Sequence, residues 1–189
     1  MNNIVLTSCG FRDDNLKNKF YKIISKNELK NKKLLYITTA IDGEKSANKD
    51  WVIEEYNSLI NLGIKESNIT EYKIGNKVNI DDYDIIYMMG GNTIYLLYMI
   101  RKYNFDKEII DFINKGKLYI GSSAGSQILG STIKLNAIYE DNFVGMTDFT
   151  ALGIIDKEIV PHANKKEDLL KDINKEELLL LYDGDGIII

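Results

Sequence analysis

The segment Leu118-Tyr119-Ile120-Gly121-Ser122-Ser123-Ala124-Gly125 places a serine where it could act as a nucleophile. Its apolar start predicts a strand, and the residues after Gly125 are compatible with a helix. A G-x-S-x-G sequence between a strand and a helix is the setting of a nucleophile elbow. Glycines flank the serine because a Cβ there would collide with the neighbouring chain. The turn thrusts the Ser123 hydroxyl out of the sheet. It also leaves N–H groups at a helix start, where a developing oxyanion can be held.

A serine needs a base, and the chain has one histidine, His162, preceded by its one proline, Pro161. The polar stretch Pro161-His162-Ala163-Asn164 follows the apolar run Ile154 to Val160, so the imidazole is expected at a strand end. Between serine and histidine lies the acidic pair Glu140-Asp141. The order serine, acid, histidine suits a relay in which the acid orients the imidazole and the imidazole activates the serine. Adjacent residues of an extended loop point opposite ways. The longer Glu140 is therefore preferred as the orienting acid, with Asp141 beside the substrate.

A second glycine turn lies upstream. The buried-strand run Asp84 to Met89 ends in Gly90-Gly91-Asn92-Thr93, and an apolar helical segment follows. Two glycines let backbone approach a ligand closely, and Asn92 or Thr93 can cap the helix. Beside an elbow, the Gly90 and Gly91 amides are candidates for the second oxyanion donor. Asn92 becomes a candidate substrate contact.

Together, G-G-N-T after a strand, G-x-S-A-G at the elbow and a later P-H resemble the peptidase E (dipeptidase E, S51) family of serine peptidases. The resemblance runs from about Ile4 to the C-terminal strands. It implies Ser123 as nucleophile, His162 as base, and an oxyanion hole from Gly91 (or Gly90) and Ala124. It also implies a fold like that of class I glutamine amidotransferases, with serine replacing the elbow cysteine. Aspartyl dipeptidases of the family cleave dipeptides with an N-terminal Asp, and as aligned here they carry an arginine and then T-N-D after the elbow helix. This chain has Ile133-Lys134-Leu135-Asn136-Ala137-Ile138 and then Tyr139-Glu140-Asp141. Lysine lacks the bidentate grip of arginine on a carboxylate, so Lys134 is a candidate substrate contact and Asp-X preference stays open. The acidic loop Tyr139 to Asp148 is expected to hold the ammonium end of a small peptide.

The elements needed to position these residues alternate. Strands are expected at Ile4 to Ser8, Leu34 to Thr39, Ile69 to Ile74, Asp84 to Met89, Leu118 to Gly121, Ile154 to Val160 and Leu178 to Tyr182. Helices are expected at Asp14 to Ser25, Lys49 to Leu62, Thr93 to Lys102, Phe105 to Asn114 and Lys166 to Ile173. Gly184-Asp185-Gly186 reads as a turn. The final Ile187-Ile188-Ile189 reads as a truncated end or an edge strand. Helices between apolar strands imply right-handed crossovers and a sheet covered on both faces. The expectation is an α/β fold: a single-domain three-layer sandwich over 1–189, with a mostly parallel central sheet and a nucleophile elbow.

Composition excludes other classes. The chain has 189 residues, 44% hydrophobic and 28% charged, with net charge −4. That suffices for one core, and no basic stripe argues for nucleic acid. No run reaches membrane-span length, and the start Met1-Asn2-Asn3-Ile4 lacks a signal peptide's charged region. One histidine and one cysteine cannot build the usual zinc site, and no P-loop pattern occurs. No cofactor or metal is expected. The lone Cys9 fits a reducing, cytoplasmic compartment. The competing readings are another serine hydrolase of esterase type and a non-catalytic domain binding a small ligand at the two glycine turns. A glutamine amidotransferase is disfavoured, because the elbow carries serine and no H-x-E follows.

Overall fold

The computed structural model describes residues 3–45 and 49–189. Met1 and Asn2, part of the leader argument, lie outside the described residues. Eight strands are present among the described residues: β1 (Ile4–Thr7), β2 (Leu34–Ile37), β3 (Ile69–Tyr72), β4 (Ile85–Met88), β5 (Leu118–Ser122), β6 (Glu158–Val160), β7 (Leu178–Leu180) and β8 (Gly186–Ile188). The helices are α1 (Asp14–Phe20), α2 (Lys26–Leu29), α3 (Asp50–Leu62), α4 (Thr93–Lys102), α5 (Phe105–Asn114), α6 (Ala124–Gln127), α7 (Lys134–Ala137) and α8 (Glu167–Leu170).

Six strands form the central sheet in the order β3-β2-β4-β5-β1-β8. All neighbours are parallel except β8, which runs antiparallel to β1. Ile187 and Ile188 thus belong to an edge strand, and Ile189 just past it exchanges backbone hydrogen bonds with Ile4. Strand side chains alternate between two apolar clusters, as a period of two requires. Leu6, Leu35, Ile37, Ile86, Met88 and Tyr119 face one side, with α4 and α5 packed over them. Val5, Leu34, Tyr36, Ile85, Tyr87 and Ile120 face the other, covered by α1 and α3. Both faces are buried, which explains why the strands read as unbroken apolar runs.

Several elements are shorter than expected. The first helix stops at Phe20, because Ser25 serves as N-cap of α2 in a reciprocal capping box with Glu28. The run from Ile154 becomes strand only from Glu158, and the last helix is a single turn, α8. The strands β6 and β7 form a separate parallel pair, Val160 facing Leu180, over a small cluster that includes Ala163 and Leu170. This pair carries half of the site.

Candidate active site

Three neighbouring parallel strands, β4, β5 and β1, end at one edge of the sheet, where open α/β folds bind ligands. Gly90 and Gly91 follow β4, Ser123 follows β5 and Ser8 follows β1. The elbow has the geometry its glycines demand. Ser123 sits at φ 46°, ψ −107°, outside the comfortable regions for an L-residue. A Cβ on Gly121 would lie 2.6 Å from the Gly125 carbonyl oxygen, and one on Gly125 would lie 2.0 Å from that of Met88. Neither position tolerates a side chain.

Ser123 Oγ lies 3.2 Å from His162 Nε2. The histidine follows β6 and adopts a left-handed conformation, φ 55°. Its other ring nitrogen, Nδ1, lies 2.6 Å from Asp183 Oδ1. Asp183 follows β7, so the small parallel pair delivers both base and acid to the edge of the large sheet. Ser8 ties the two halves together. Its hydroxyl donates to Asp183 Oδ1 at 2.7 Å and accepts from the His162 backbone N–H at 2.8 Å.

Charges around the imidazole are balanced. Burial pushes the His162 pKa below its ordinary value, against the pull of the Asp183 carboxylate. Burial works to raise the Asp183 pKa, but hydrogen bonds from Lys165 and Ser8 and the nearby imidazole outweigh it and hold the carboxyl well below the usual range. Lys165 Nζ reaches Asp183 Oδ2 at 2.6 Å. A permanently ionised acid beside a neutral imidazole is the state in which Nε2 can accept a proton.

The backbone N–H groups of Gly90, Gly91 and Ala124 have no partner within the protein among the described residues. Gly91 is at φ 134°, and a Cβ there would lie 2.5 Å from the Ala40 carbonyl. A Cβ on Gly90 would come within 3.2 Å of the Ser123 Cβ, so the turn runs directly past the nucleophile. The cavity in front of these groups measures about 400 Å³ and is bordered by Ser123, His162, Asp183 and both glycines.

The structure brings Ser123, His162, Gly91 and Ala124 together and places the other candidates elsewhere. Glu140 does not meet the imidazole. It is spent on the start of α4, where its carboxylate accepts from the Thr93 N–H (2.5 Å), the Thr93 hydroxyl (2.6 Å) and the Ile94 N–H (3.2 Å). A helix N-terminus with orphan donors outcompetes the loop position. Asp141 is ion-paired with Lys45, and Asp148 with Arg101. Asn92 caps α4, accepting from the Tyr95 N–H and donating to the Asp141 carbonyl. Lys134 is exposed in the first turn of α7 and does not border the cavity. Asp183 and Ser8 are not among the sequence candidates. Both lie at the ends of apolar strand runs, which is the one local signal they carry, and Asp183 falls after His162 rather than between Ser123 and His162.

These features define an α/β sandwich protein with an elbow serine, a histidine and a carboxylate in line. Comparison with known proteins narrows the class. The sequence model of Peptidase family S51 matches residues 4–188, and the chain belongs to that family. It is 39% identical over 83 residues to the uncharacterized peptidase Lmo0363 of Listeria monocytogenes, covering 43% of this chain and 40% of that one. It is 30% identical over 139 residues to the uncharacterized peptidase PM1590 of Pasteurella multocida, covering 71% and 66%. The matched stretches thus span only part of these relatives. A crystal structure from Listeria monocytogenes EGD-e, provisionally described as a peptidase E protein, matches with TM-score 0.83 and 26% identity over 100% of this chain and 94% of that chain.

Proposed function

We propose that this chain is a serine peptidase acting on short peptides, and that residues 1–189 form one catalytic domain. The observation that carries this reading is the line Ser123 Oγ, His162, Asp183, with contacts of 3.2 Å and 2.6 Å. Ser123 attacks the scissile carbonyl as His162 Nε2 takes its proton. Asp183 holds the ring and stabilises the imidazolium. The Gly91 and Ala124 N–H groups receive the oxyanion. His162 then protonates the leaving amine, and water repeats the cycle on the acyl-enzyme. A cavity of about 400 Å³ suits a peptide of a few residues and excludes a folded protein. A single cysteine, Cys9, fits action in a reducing compartment.

The test is labelling of Ser123 by a fluorophosphonate, together with hydrolysis of a dipeptide panel by wild type and Ser123→Ala. Labelling and turnover that both vanish in Ser123→Ala support the reading. Peptide turnover that survives the substitution sinks it. Binding without turnover by wild type points instead to a non-catalytic ligand-binding domain.

A further inference from the structure

The inner wall of the catalytic cavity holds a carboxyl that the relay does not use. Glu55, on α3, is 2% exposed and borders the cavity. Its Oε1 accepts from the Tyr87 hydroxyl at 2.7 Å, and among the described residues it enters no ion pair. The nearby guanidinium of Arg12 is occupied by Glu54 Oε2 at 3.3 Å and the Trp51 carbonyl at 3.3 Å. Burial raises the Glu55 pKa, against the pull of the Ser122 and Tyr87 hydroxyls and of the Arg12 charge.

A second polar group beside it lacks a partner. Ser122, next in the chain to the nucleophile, is fully buried and borders the same cavity, and its Oγ makes no hydrogen bond. The hydroxyl lies close enough to pull the Glu55 pKa down. The same hydroxyl works to lower the Tyr87 pKa, so it lies against both Glu55 and Tyr87. Native structures rarely leave a buried hydroxyl unmatched unless a water, an ion or a ligand completes it. The surroundings are shaped to keep this pair close to the relay. Gly10, at φ 70°, closes the loop after Ser8 over the Glu55–Tyr87 pair, and a Cβ there would sit 2.7 Å from the Tyr87 hydroxyl oxygen and 3.0 Å from Glu55 Cγ.

We propose that Glu55 and Ser122 form an ammonium-binding subsite at the inner end of the catalytic cavity, with Tyr87 orienting the carboxylate. An ammonium carries three donors and a charge. Glu55 supplies the charge and one acceptor, and Ser122 Oγ supplies a second. The other acids are otherwise engaged: Asp183 serves His162 and Lys165, Glu44 at the cavity border has a partner of its own, and Glu140, Asp141 and Asp148 are tied to α4, Lys45 and Arg101. The ammonium has two sources in a peptide, the free N-terminus and a lysine-like side chain. The inference rests on the peptidase reading above, since it names which substrates that site selects.

The test compares wild type, Glu55→Gln and Ser122→Ala on aminomethylcoumarin amides of alanine, N-acetylalanine and N-acetyllysine. Wild type is expected to prefer an ammonium-bearing amide over N-acetylalanine. A preference for alanine assigns the N-terminus, and a preference for N-acetyllysine assigns the side chain. Glu55→Gln should raise KM for the preferred amide about tenfold or more, with a smaller change in kcat, and so erase the selectivity. No ammonium preference in wild type, or one that survives Glu55→Gln, overturns the proposal. Calorimetric titration of Ser123→Ala with alaninamide, N-acetylalaninamide and N-acetyllysinamide needs no turnover. Glu55-dependent ammonium binding without hydrolysis by wild type would leave this subsite standing and remove the peptidase reading. Hydrolysis with equal binding of all three amides would do the reverse. If Glu55→Gln fails to fold, Ser122→Ala decides: several-fold weaker ammonium binding supports the subsite, and unchanged binding overturns it.

Discussion

Asp183 Oδ1 stands 2.6 Å from His162 Nδ1, on the side of the ring opposite Ser123, although the two residues follow different strands of the small β6–β7 pair. One carboxylate oxygen receives the ring and the Ser8 hydroxyl, and the other receives Lys165. The acid is fixed from three directions, so the imidazole tautomer with its proton on Nδ1 is enforced. That leaves Nε2 free to face Ser123.

Asp183→Asn should therefore act on turnover rather than on binding. An amide in this place can donate to Nδ1 and favour the wrong tautomer. We expect kcat to fall by about a thousandfold or more with KM little changed. Steady-state kinetics on the best dipeptide check this. A loss under tenfold would remove Asp183 from the relay.

The conformation of Ser123 predicts a stability signature. At φ 46°, ψ −107° the residue stores strain that glycine would not. Ser123→Gly should abolish turnover yet raise the unfolding free energy by about 1 kcal/mol. Ser123→Ala should abolish turnover without that gain. Chemical denaturation of the three proteins measures the difference, and a destabilised Ser123→Gly would contradict the strain.

The single histidine makes its titration directly readable by nitrogen-15 NMR. Burial lowers the His162 pKa, and the Asp183 carboxylate pulls it back up. The catalytic form is the neutral one, so activity should rise with pH through a pKa below the ordinary value of about 6.5. Asp183→Asn removes the group that favours the imidazolium and should move the titration still lower. A shift upward would mean that the carboxylate does not govern the ring.

Glu140, the acid favoured on sequence grounds, should matter to the fold. Glu140→Ala orphans the first N–H groups of α4 and should cost about 1–3 kcal/mol of stability. The folded fraction should retain turnover within about tenfold, far from the effect expected of Asp183→Asn. Thermal unfolding and active-site titration separate the two quantities. A stable but inactive Glu140→Ala would reverse the assignment of the two acids.

The chain itself determined what is local. The elbow is legible because Gly121, Ser123 and Gly125 lie within five residues and sterics forbid a Cβ at either glycine. The Gly90-Gly91 turn and the unbroken apolar strands are legible for the same reason: each is imposed by neighbours in sequence and by burial on both faces. The pairing of Ser123 with His162 was inferable because only one histidine exists. Tertiary structure alone decided which acid completes the line. Glu140 and Asp183 are both strand- or loop-end carboxylates, and nothing in their local sequence ranks them. The start of α4 claims Glu140, while the parallel register of β6 and β7 sets Asp183 against the imidazole. Ser8 enters from a strand separated from His162 by 154 residues, through a contact that exists only once β1 and the β6–β7 pair have met.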